Sequence, residues 1–304
     1  MQALFTTFNP SVTEEVANSE AALTFPIHPM KIPLEDDYED ILQKALSGWQ
    51  LDVETLHSRS GLSRAAVTNA LDGCVEEVTA RALAPLLQLD ADALLAIGKR
   101  SWEPARERFT GLKQISTAFR NMRVNAWILH DANSGDAAIF DTGTDEKLLL
   151  DYLRGNKLTP RGLFLTHAHA DHILALPALR RELPHLSVYA PSGEPVSSAI
   201  PLSAGHCIRA GTLTVEVRST PGHSPDGLTY LVPLGDRNIA FVGDALFAGS
   251  MGGAANAWQE ALTAVRRQIL SLPGDTVLCP GHGPATTVKE ERRHNPFHAL
   301  HFKD

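Results

Sequence analysis

Potential metal ligands crowd one stretch of the chain, Leu163-Phe-Leu-Thr-His-Ala-His-Ala-Asp-His172. Its apolar start predicts a short buried strand, and Ile173–Leu183 continues with an apolar helical rhythm. The turn between strand and helix carries three imidazoles and one carboxylate. Imidazole nitrogen together with carboxylate oxygen suits zinc, iron(II) or manganese. The sequence therefore predicts a metal site in a turn whose two ends are held by regular structure.

The spacing within this turn favours two ions. Side chains at positions i and i+2 of an extended segment point the same way, so His167 and His169 can bind one ion. Asp171 and His172 lie just beyond and can reach a second ion. A polar loop that is rich in histidine by chance is the competing interpretation. With 13 histidines in 304 residues, this fixed pattern arises by chance on the order of one time in a thousand.

Further candidate ligands follow three apolar runs in the second half of the chain. A lone histidine after a strand is more often a surface or hydrogen-bonded residue. Here the arrangement repeats at three strand ends, each time beside a glycine that allows close backbone approach. The repetition favours one shared site. The candidates are His223 after the predicted strand Leu213–Ser219, Asp244 after Asn238–Val242, and His282 after Thr276–Leu278.

The elements that must position these residues fall into distinct regions. Residues 1–35 are weakly patterned and proline-spaced, which predicts an extended lead. Residues 36–100 have the periodicity of short amphipathic helices, and residues 101–110 form a charged bridge. From residue 111 to 304 short strands mix with helices, which predicts an α/β (α+β) fold with two sheets or a mixed sheet flanked by helices.

Within the helical region, Leu51–Gly73 resembles the helix-turn-helix of phage-repressor-like regulators. Asp52 and Ser63 read as N-caps of two helices, Val53–Ser60 and Arg64–Leu71, with a glycine turn between them. In such regulators the second helix enters the major groove of DNA. Residues 51–97, however, hold seven acidic and three basic side chains. This balance works against phosphate binding, so we expect a packing or dimerisation module instead.

Composition narrows the class of protein. The net charge of −8 gives no sign of a protein that coats nucleic acid. Cys74, Cys207 and Cys279 are far apart and odd in number, which fits a reducing cytoplasm better than a disulfide framework. No apolar stretch approaches the ~20 residues of a membrane span, and the first 30 residues contain no Lys or Arg that could form the charged region of a signal peptide. We expect a cytoplasmic protein with no membrane or nucleic-acid partner and, through the helical region, a homo-oligomer.

The histidine motif at 166–172, with His223, Asp244 and His282 following in this order, resembles the metallo-β-lactamase superfamily. Asp141, in Asp-Thr-Gly, matches an early motif of that family. The resemblance covers about residues 111–304 and implies an αβ/βα sandwich with the site at one edge, preceded here by a small all-α domain. It also implies two divalent cations, and among the metals that suit these ligands it favours zinc over iron or manganese.

Roles for individual residues come from the same resemblance. It implies one metal held by His167, His169 and His223, a second held by Asp171, His172 and His282, and Asp244 as the bridge between them. It places Asp141 behind a ligand histidine, which it orients. Asp171 and Asp244 are the expected catalytic residues, because either carboxylate can orient a hydroxide and shuttle a proton.

Two stretches, Phe241–Ser250 and Cys279–Phe297, are similar to the short glyoxalase-II-like hydrolases. Such an enzyme cleaves a thioester or small acyl ester with hydroxide formed at a metal pair. Glyoxalase II also has a C-terminal helical domain that helps bind its glutathione thioester, and residues 283–304 are too few to form one. Relatives usually continue with Gly-Arg and an acidic residue where Met-Gly-Gly-Ala-Ala follows Ser250. We therefore expect a small acyl substrate and leave its carrier open.

Two alternatives remain from the sequence. An iron persulfide dioxygenase shares the histidine pattern but uses one iron and leaves the acid positions unligated. A regulator would use the helical domain to bind DNA and the metal domain to sense a ligand.

Overall fold

Side-chain caps set the starts of the short helices that open the described chain. The computed structural model describes residues 32–105 and 109–303. Asp52, Ser63 and Asp90 each accept a hydrogen bond from the backbone N–H three residues further on. Gly61, at φ 71°, ends the second helix in the left-handed conformation. The five helices are α1 (Tyr38–Gly48), α2 (Val53–Ser60), α3 (Arg64–Leu71), α4 (Glu77–Leu83) and α5 (Ala91–Gly98).

Most of these bounds agree with the sequence prediction, and α4 is the exception. The pattern predicts a helix over Glu76–Leu87, whereas the regular helix ends at Leu83 and continues as turns. Pro85 has no N–H to continue the hydrogen-bond ladder, which accounts for the shorter helix. The predicted extended lead lies mostly outside the described residues, and so does the middle of the predicted bridge.

The helical region shares an apolar core with later parts of the chain. Tyr38, Ile41 and Leu42 are buried in the same cluster as Met251 and Trp258. Contact with Trp258 is close, because a Cβ added at Gly48 would lie 2.2 Å from its indole ring. The domain boundary at residue 100 stays a prediction, since this core extends across it.

The rest of the chain forms two six-stranded sheets. The first contains β1 (Leu112–Phe119), β2 (Met122–His130), β3 (Asp136–Phe140), β4 (Thr159–Phe164), β5 (Val188–Pro191) and β6 (Ile200–Leu202), in that order. The second contains β7 (Cys207–Ala210), β8 (Leu213–Ser219), β9 (Leu228–Leu234), β10 (Arg237–Gly243), β11 (Val277–Pro280) and β12 (Thr286–Thr287), again in chain order across the sheet.

Alternating apolar residues of the two sheets face each other. Trp127, Phe140 and Phe164 of the first sheet are buried in one cluster with Tyr230 and Phe241 of the second. Two further clusters lie under the helices on the outer faces of the sheets. These layers confirm the predicted α/β sandwich. Its helices are α6 (Glu146–Gly155), α7 (Ala170–Ile173), α8 (Leu176–Glu182), α9 (Trp258–Ala264), which continues as a π-helical turn (Val265–Ile269), α10 (Val288–His294), and a final 3₁₀ turn (Ala299–Phe302).

The carboxyl ends of several strands meet at one edge of the sandwich. β3 and β4 run parallel in the first sheet, and β10 and β11 run parallel in the second. Gly243 ends β10 at φ 50°, where a Cβ would lie 2.5 Å from Thr166 Oγ1 after β4. Only glycine therefore lets the two sheets approach this closely at the edge. No helix in the described ranges is long and apolar enough to cross a lipid bilayer.

Candidate metal centre

Each predicted metal ligand lies just after a strand at this edge of the sandwich. His167 follows β4, and His169 precedes α7, which carries Asp171 and His172. The remaining three residues follow strands of the second sheet, namely His223 after β8, Asp244 after β10 and His282 after β11. The two sheets thus contribute side chains from opposite sides of one cleft.

Three imidazoles form the first group. The candidate ligand atoms of His167, His169 and His223 all lie within 4.8 Å of one another. His169 Nδ1 and His223 Nε2 are 3.0 Å apart. The three nitrogens therefore face a common point, as the ligands of one cation would.

A carboxylate and two imidazoles form the second group. Ligand atoms of Asp171, His172 and His282 also lie within 4.8 Å of one another. Asp171 Oδ2 is 3.3 Å from His282 Nε2 and 3.7 Å from His172 Nε2. This donor set of nitrogen and oxygen atoms suits a divalent first-row metal.

Asp244 lies between the two groups. Its Oδ2 atom is 3.3 Å from His223 Nε2 in the first group and 3.3 Å from His282 Nε2 in the second. Its Oδ1 atom is 3.3 Å from His172 Nε2. The structure therefore brings together all seven residues that the sequence nominates, with Asp244 in the place of a bridge. Their roles as ligands stay predictions.

Buried polar atoms in the cleft have unused hydrogen-bonding capacity, which a cation would satisfy. Within the described residues, His167 Nε2, His172 Nε2 and Asp244 Oδ1 are buried and make no well-aligned hydrogen bond. Buried polar atoms normally have partners, and leaving them without costs about 1–3 kcal/mol each. The cluster therefore fits divalent cations held between these atoms.

The outward nitrogens of the imidazoles are anchored. Asp141 accepts hydrogen bonds from His172 Nδ1 at 2.9 Å and from the backbone N–H and hydroxyl of Thr166, both at 2.8 Å. His282 Nδ1 donates to the carbonyl oxygen of Arg123 at 2.6 Å, and His223 Nδ1 to that of Gly253 at 3.0 Å. These bonds fix the rings so that each Nε2 points into the cleft, and Asp141 has the contact expected of an orienting carboxylate.

Carboxylates and imidazoles of the cleft shift one another's pKa values. Burial alone would lower the pKa of His172, but the carboxylates of Asp244 and Asp141 outweigh burial and raise that pKa to about 10. Burial alone would likewise lower the pKa of His282, but Asp244 and Asp171 outweigh it and raise that pKa to about 11. Burial raises the pKa of Asp244, but the charges of His172 and His282 hold it well below the ordinary value. The carboxylates of the cleft thus favour cationic charge beside them, as they would favour a divalent cation.

Glu194 is a residue of this site that the sequence pattern misses. It lies in the loop after β5, where one carboxylate oxygen accepts the N–H of Ala168 at 2.9 Å. The other oxygen accepts the N–H of Asp226 at 3.0 Å and the hydroxyl of Ser224. Glu194 therefore ties the loop of His167 and His169 to the loop of His223. No local motif signals this role, because its partners are distant in sequence.

Comparison with known proteins gives the family of the chain. The family model of the metallo-beta-lactamase superfamily matches residues 120–282. The "Probable metallo-hydrolase YqgX" of Bacillus subtilis is 31% identical over 199 residues, which cover 58% of this chain and 92% of that protein. The crystal structure of the BLEG-1 B3 metallo-beta-lactamase matches with a TM-score of 0.52 and 32% identity, over 61% of this chain and 98% of that chain.

Two further relatives match over about half of their own length. A hydroxyacylglutathione hydrolase of Pseudoalteromonas translucida is 31% identical over 150 residues, 49% of this chain and 56% of that protein. The mitochondrial persulfide dioxygenase ETHE1 of Homo sapiens is 35% identical over 138 residues, 43% of this chain and 54% of that protein. Because the family model spans more than half of the sequence, and the Bacillus relative is matched over nearly its whole length, this chain belongs to the metallo-beta-lactamase superfamily.

Proposed function

We propose that the chain is a hydrolase that uses two divalent metals, zinc before iron or manganese, to cleave a thioester or small acyl ester. The observation that carries this proposal is the position of Asp244. Its Oδ2 atom lies 3.3 Å from His223 Nε2 of the first group and 3.3 Å from His282 Nε2 of the second. A mononuclear site needs no carboxylate between two complete sets of three ligands. Metals bound there would polarise the scissile carbonyl and lower the pKa of the attacking water.

The residues of the chain supply the rest of the reaction. Asp171 is part of the second group and is 13% exposed, so its carboxylate is accessible from the cleft. It can orient the attacking water and accept its proton, and Asp244 can do the same from the opposite side. A tetrahedral oxyanion formed in the cleft would be stabilised by the charge concentrated there.

Neither nearby serine is placed as a nucleophile. The hydroxyl of Ser224 donates to Glu194, and that of Ser250 donates to Asp36. Both hydroxyls hold loops together. This supports attack by water without a covalent acyl-enzyme.

The relatives support the substrate class. Hydroxyacylglutathione hydrolase, by its name, cleaves an acyl thioester of glutathione, and its similarity to this chain covers 49% of the sequence. The similarity supports the acyl group and leaves the carrier open. We accordingly propose a small acyl substrate. For the location we propose the cytoplasm, which suits the free thiols of Cys74, Cys207 and Cys279.

A panel of thioesters and lactones, assayed with protein of known metal content, tests this function. The His167→Ala variant should lose turnover with little loss of fold, because it removes a ligand of the first group. His185→Ala, which removes an exposed histidine, serves as the control. Wild-type activity together with an unchanged metal stoichiometry in the His167 variant would contradict the proposal.

A persulfide dioxygenase activity is the second candidate. The 35% identity to the human persulfide dioxygenase favours it. That activity would require a single iron, with the acid positions of the cluster left unligated. Metal analysis of the purified chain distinguishes the two, since one iron per chain supports the oxygenase and two metals support the hydrolase.

Regulation through DNA ranks below both enzymes. Arg64, at the start of α3, forms an ion pair with Glu54 of α2, and both side chains are exposed. This pairing and the acidic balance of the helical region weaken any attraction to phosphates. We propose that the region packs against the enzyme or forms a homo-oligomer contact, and a gel-shift assay with the whole chain should show no DNA complex.

A further inference from the structure

The chain that leads into α1 passes directly beside the metal centre. A Cβ added at Gly283, which follows His282 at φ 71°, would lie 3.2 Å from the backbone nitrogen of Glu35 and 3.7 Å from the carbonyl oxygen of Pro33. Glycine at 283 therefore permits this crossing of two backbone segments. The residues before α1 are thus in contact with the loop that carries one of the predicted metal ligands.

Glu35 faces the outer side of that ligand. Its Oε1 atom lies 3.8 Å from His282 Nδ1, and its side chain is only 17% exposed. His282 Nδ1 already donates to the carbonyl oxygen of Arg123, so the ionised form of Glu35 and this carbonyl together present negative charge to the outer edge of the ring. Such charge favours the Nδ1–H tautomer, which leaves Nε2 free to face the cleft.

A second contact joins α1 to the loop after β10. Asp36, 8% exposed, accepts hydrogen bonds from Lys44 of α1 and from Ser250. Lys44 Nζ also donates to the carbonyl oxygen of Met251 at 2.9 Å. This buried polar network fixes the start of the loop 250–253 to the helical region.

The same loop contacts two predicted ligands. The N–H of Gly252 donates to the carbonyl oxygen of Asp244 at 3.0 Å, and the carbonyl oxygen of Gly253 accepts from His223 Nδ1 at 3.0 Å. This loop belongs to the stretch Met-Gly-Gly-Ala-Ala that follows Ser250. The residues before α1 therefore contact the metal centre directly, beside His282. The helical region supports it indirectly, through the loop 250–253 behind Asp244 and His223.

We infer that residues 33–36 and α1 hold the metal centre in its working geometry, with Glu35 as the positioning residue of His282. The inference rests on the proposed function, and it gives the helical region a role in the enzyme itself. Glu35 acts through the imidazole, and it is neither a ligand nor a group that meets the substrate.

Zinc titration of the metal-free full-length chain against a chromophoric chelator tests this inference. Glu35→Gln keeps the size of the side chain and removes its charge. Loss of a partner behind a ligand histidine costs about 10–100-fold in metal affinity. Because the carbonyl oxygen of Arg123 also lies behind His282, we expect the lower end of this range, about a tenfold loss of affinity for one of the two zinc ions. Glu35→Asp, which keeps the charge, should recover most of the affinity.

Glu39→Gln is the matched control, because Glu39 lies on α1 and its carboxylate faces Gly73, away from the cleft. It should bind zinc as the wild type does. The Co(II) absorption spectrum gives a readout that a merely structural role would not move, and it should change for Glu35→Gln alone. Thermal unfolding of the metal-free variants reports any loss of fold.

The outcomes separate this inference from the proposed function. If the wild type binds two zinc ions and hydrolyses esters, and Glu35→Gln does the same with equal affinity, the positioning role is wrong and the function stands. Equal losses in Glu35→Gln and Glu35→Asp, with a lower melting temperature of both metal-free proteins, would also overturn positioning by charge. If the wild type binds no metal, the proposed function fails and this inference fails with it.

Discussion

Replacing Asp141 by asparagine should weaken metal binding strongly, although Asp141 is not among the predicted ligands. Its Oδ2 atom accepts from both His172 Nδ1 and the hydroxyl of Thr166, and its Oδ1 atom accepts the N–H of Thr166. Asparagine offers one carbonyl oxygen and one NH₂ group. In either orientation, the NH₂ group faces at least one donor that it cannot satisfy.

The magnitude follows from these contacts. Partners behind a ligand histidine are worth about 10–100-fold in metal affinity, which corresponds to about 1.4–2.7 kcal/mol. Asp141 holds His172 directly and also positions Thr166, whose hydroxyl lies 3.0 Å from His167 Nδ1. We therefore expect the upper end of this range, about 100-fold, with the orientation of both imidazoles disturbed.

Zinc titration with a competing chelator measures the effect, and thermal unfolding of the metal-free protein measures any loss of fold. Asp151→Asn serves as the control, since Asp151 is exposed and pairs with Lys147 on the outer helix α6. Wild-type zinc affinity in the Asp141 variant would refute the role of this carboxylate, and so would an equal loss of affinity in both variants.

Three further predictions concern protons, the loop contact and the helical region. Zinc binding at pH 7 should release about two protons per chain. The pKa values of about 10 for His172 and about 11 for His282 keep both imidazoles protonated at this pH until a metal displaces the protons. Affinity should then rise from pH 7 to about pH 10, and a pH-stat titration that finds no release would contradict the charge balance. Glu194→Gln should weaken zinc binding by about tenfold, since it breaks one of the bonds that join the two histidine loops, while Glu182→Gln on the exposed face of α8 should bind zinc normally. Lys44→Met should lower the free energy of unfolding by about 3 kcal/mol, because it leaves the buried carboxylate of Asp36 without its ion-pair partner. This is the low end of the range for breaking a buried ion pair, since Lys44 is 22% exposed. A urea unfolding midpoint equal to that of the wild type would show that Asp36 does not depend on the charge of Lys44.

Much of the candidate site could be predicted because the chemistry follows apolar strands. The carboxyl ends of the strands before His167, Asp244 and His282 are buried, so a polar residue soon after each stands out in the sequence. Parallel pairing of neighbouring strands then brings those ends to one edge of the sandwich. The local pattern and the topology thus agree, which is why seven separate residues could be nominated together.

Edge strands were harder to predict. β1 buries only Ile115 and Thr117, and β7 buries only Ala210. Such strands keep one side in solvent and contain charged residues, so their apolar signal is weak. By contrast, the apolar period over Asn256–Leu270 predicts a helix, and the structure forms it as α9 and the π-helical turn that follows. A helix with a long buried face keeps a clear period in the sequence.

Apart from Asp141, the residues behind the site could not be predicted, because their roles depend on contacts between distant parts of the chain. Glu194 meets Ala168 across 26 positions in the sequence, and Asp36 meets Ser250 across 214. A carboxylate at either position looks like an ordinary surface residue until the fold is known. Tertiary structure alone gives them partners.

The sequence after Ser250 acquires a physical explanation from these contacts. The stretch Met-Gly-Gly contains no side chain that could form its own polar anchor, so the loop depends on groups from elsewhere. Lys44 and Asp36 supply those groups from the helical region, and Gly252 fits where a Cβ would lie 2.2 Å from the carbonyl oxygen of Asp244. A chain that lost its helical region would then lose the support of Asp244 as well. Metal binding and the integrity of the helices should therefore be coupled, so that zinc raises the stability of α1 and mutations that unfold α1 lower the affinity for zinc.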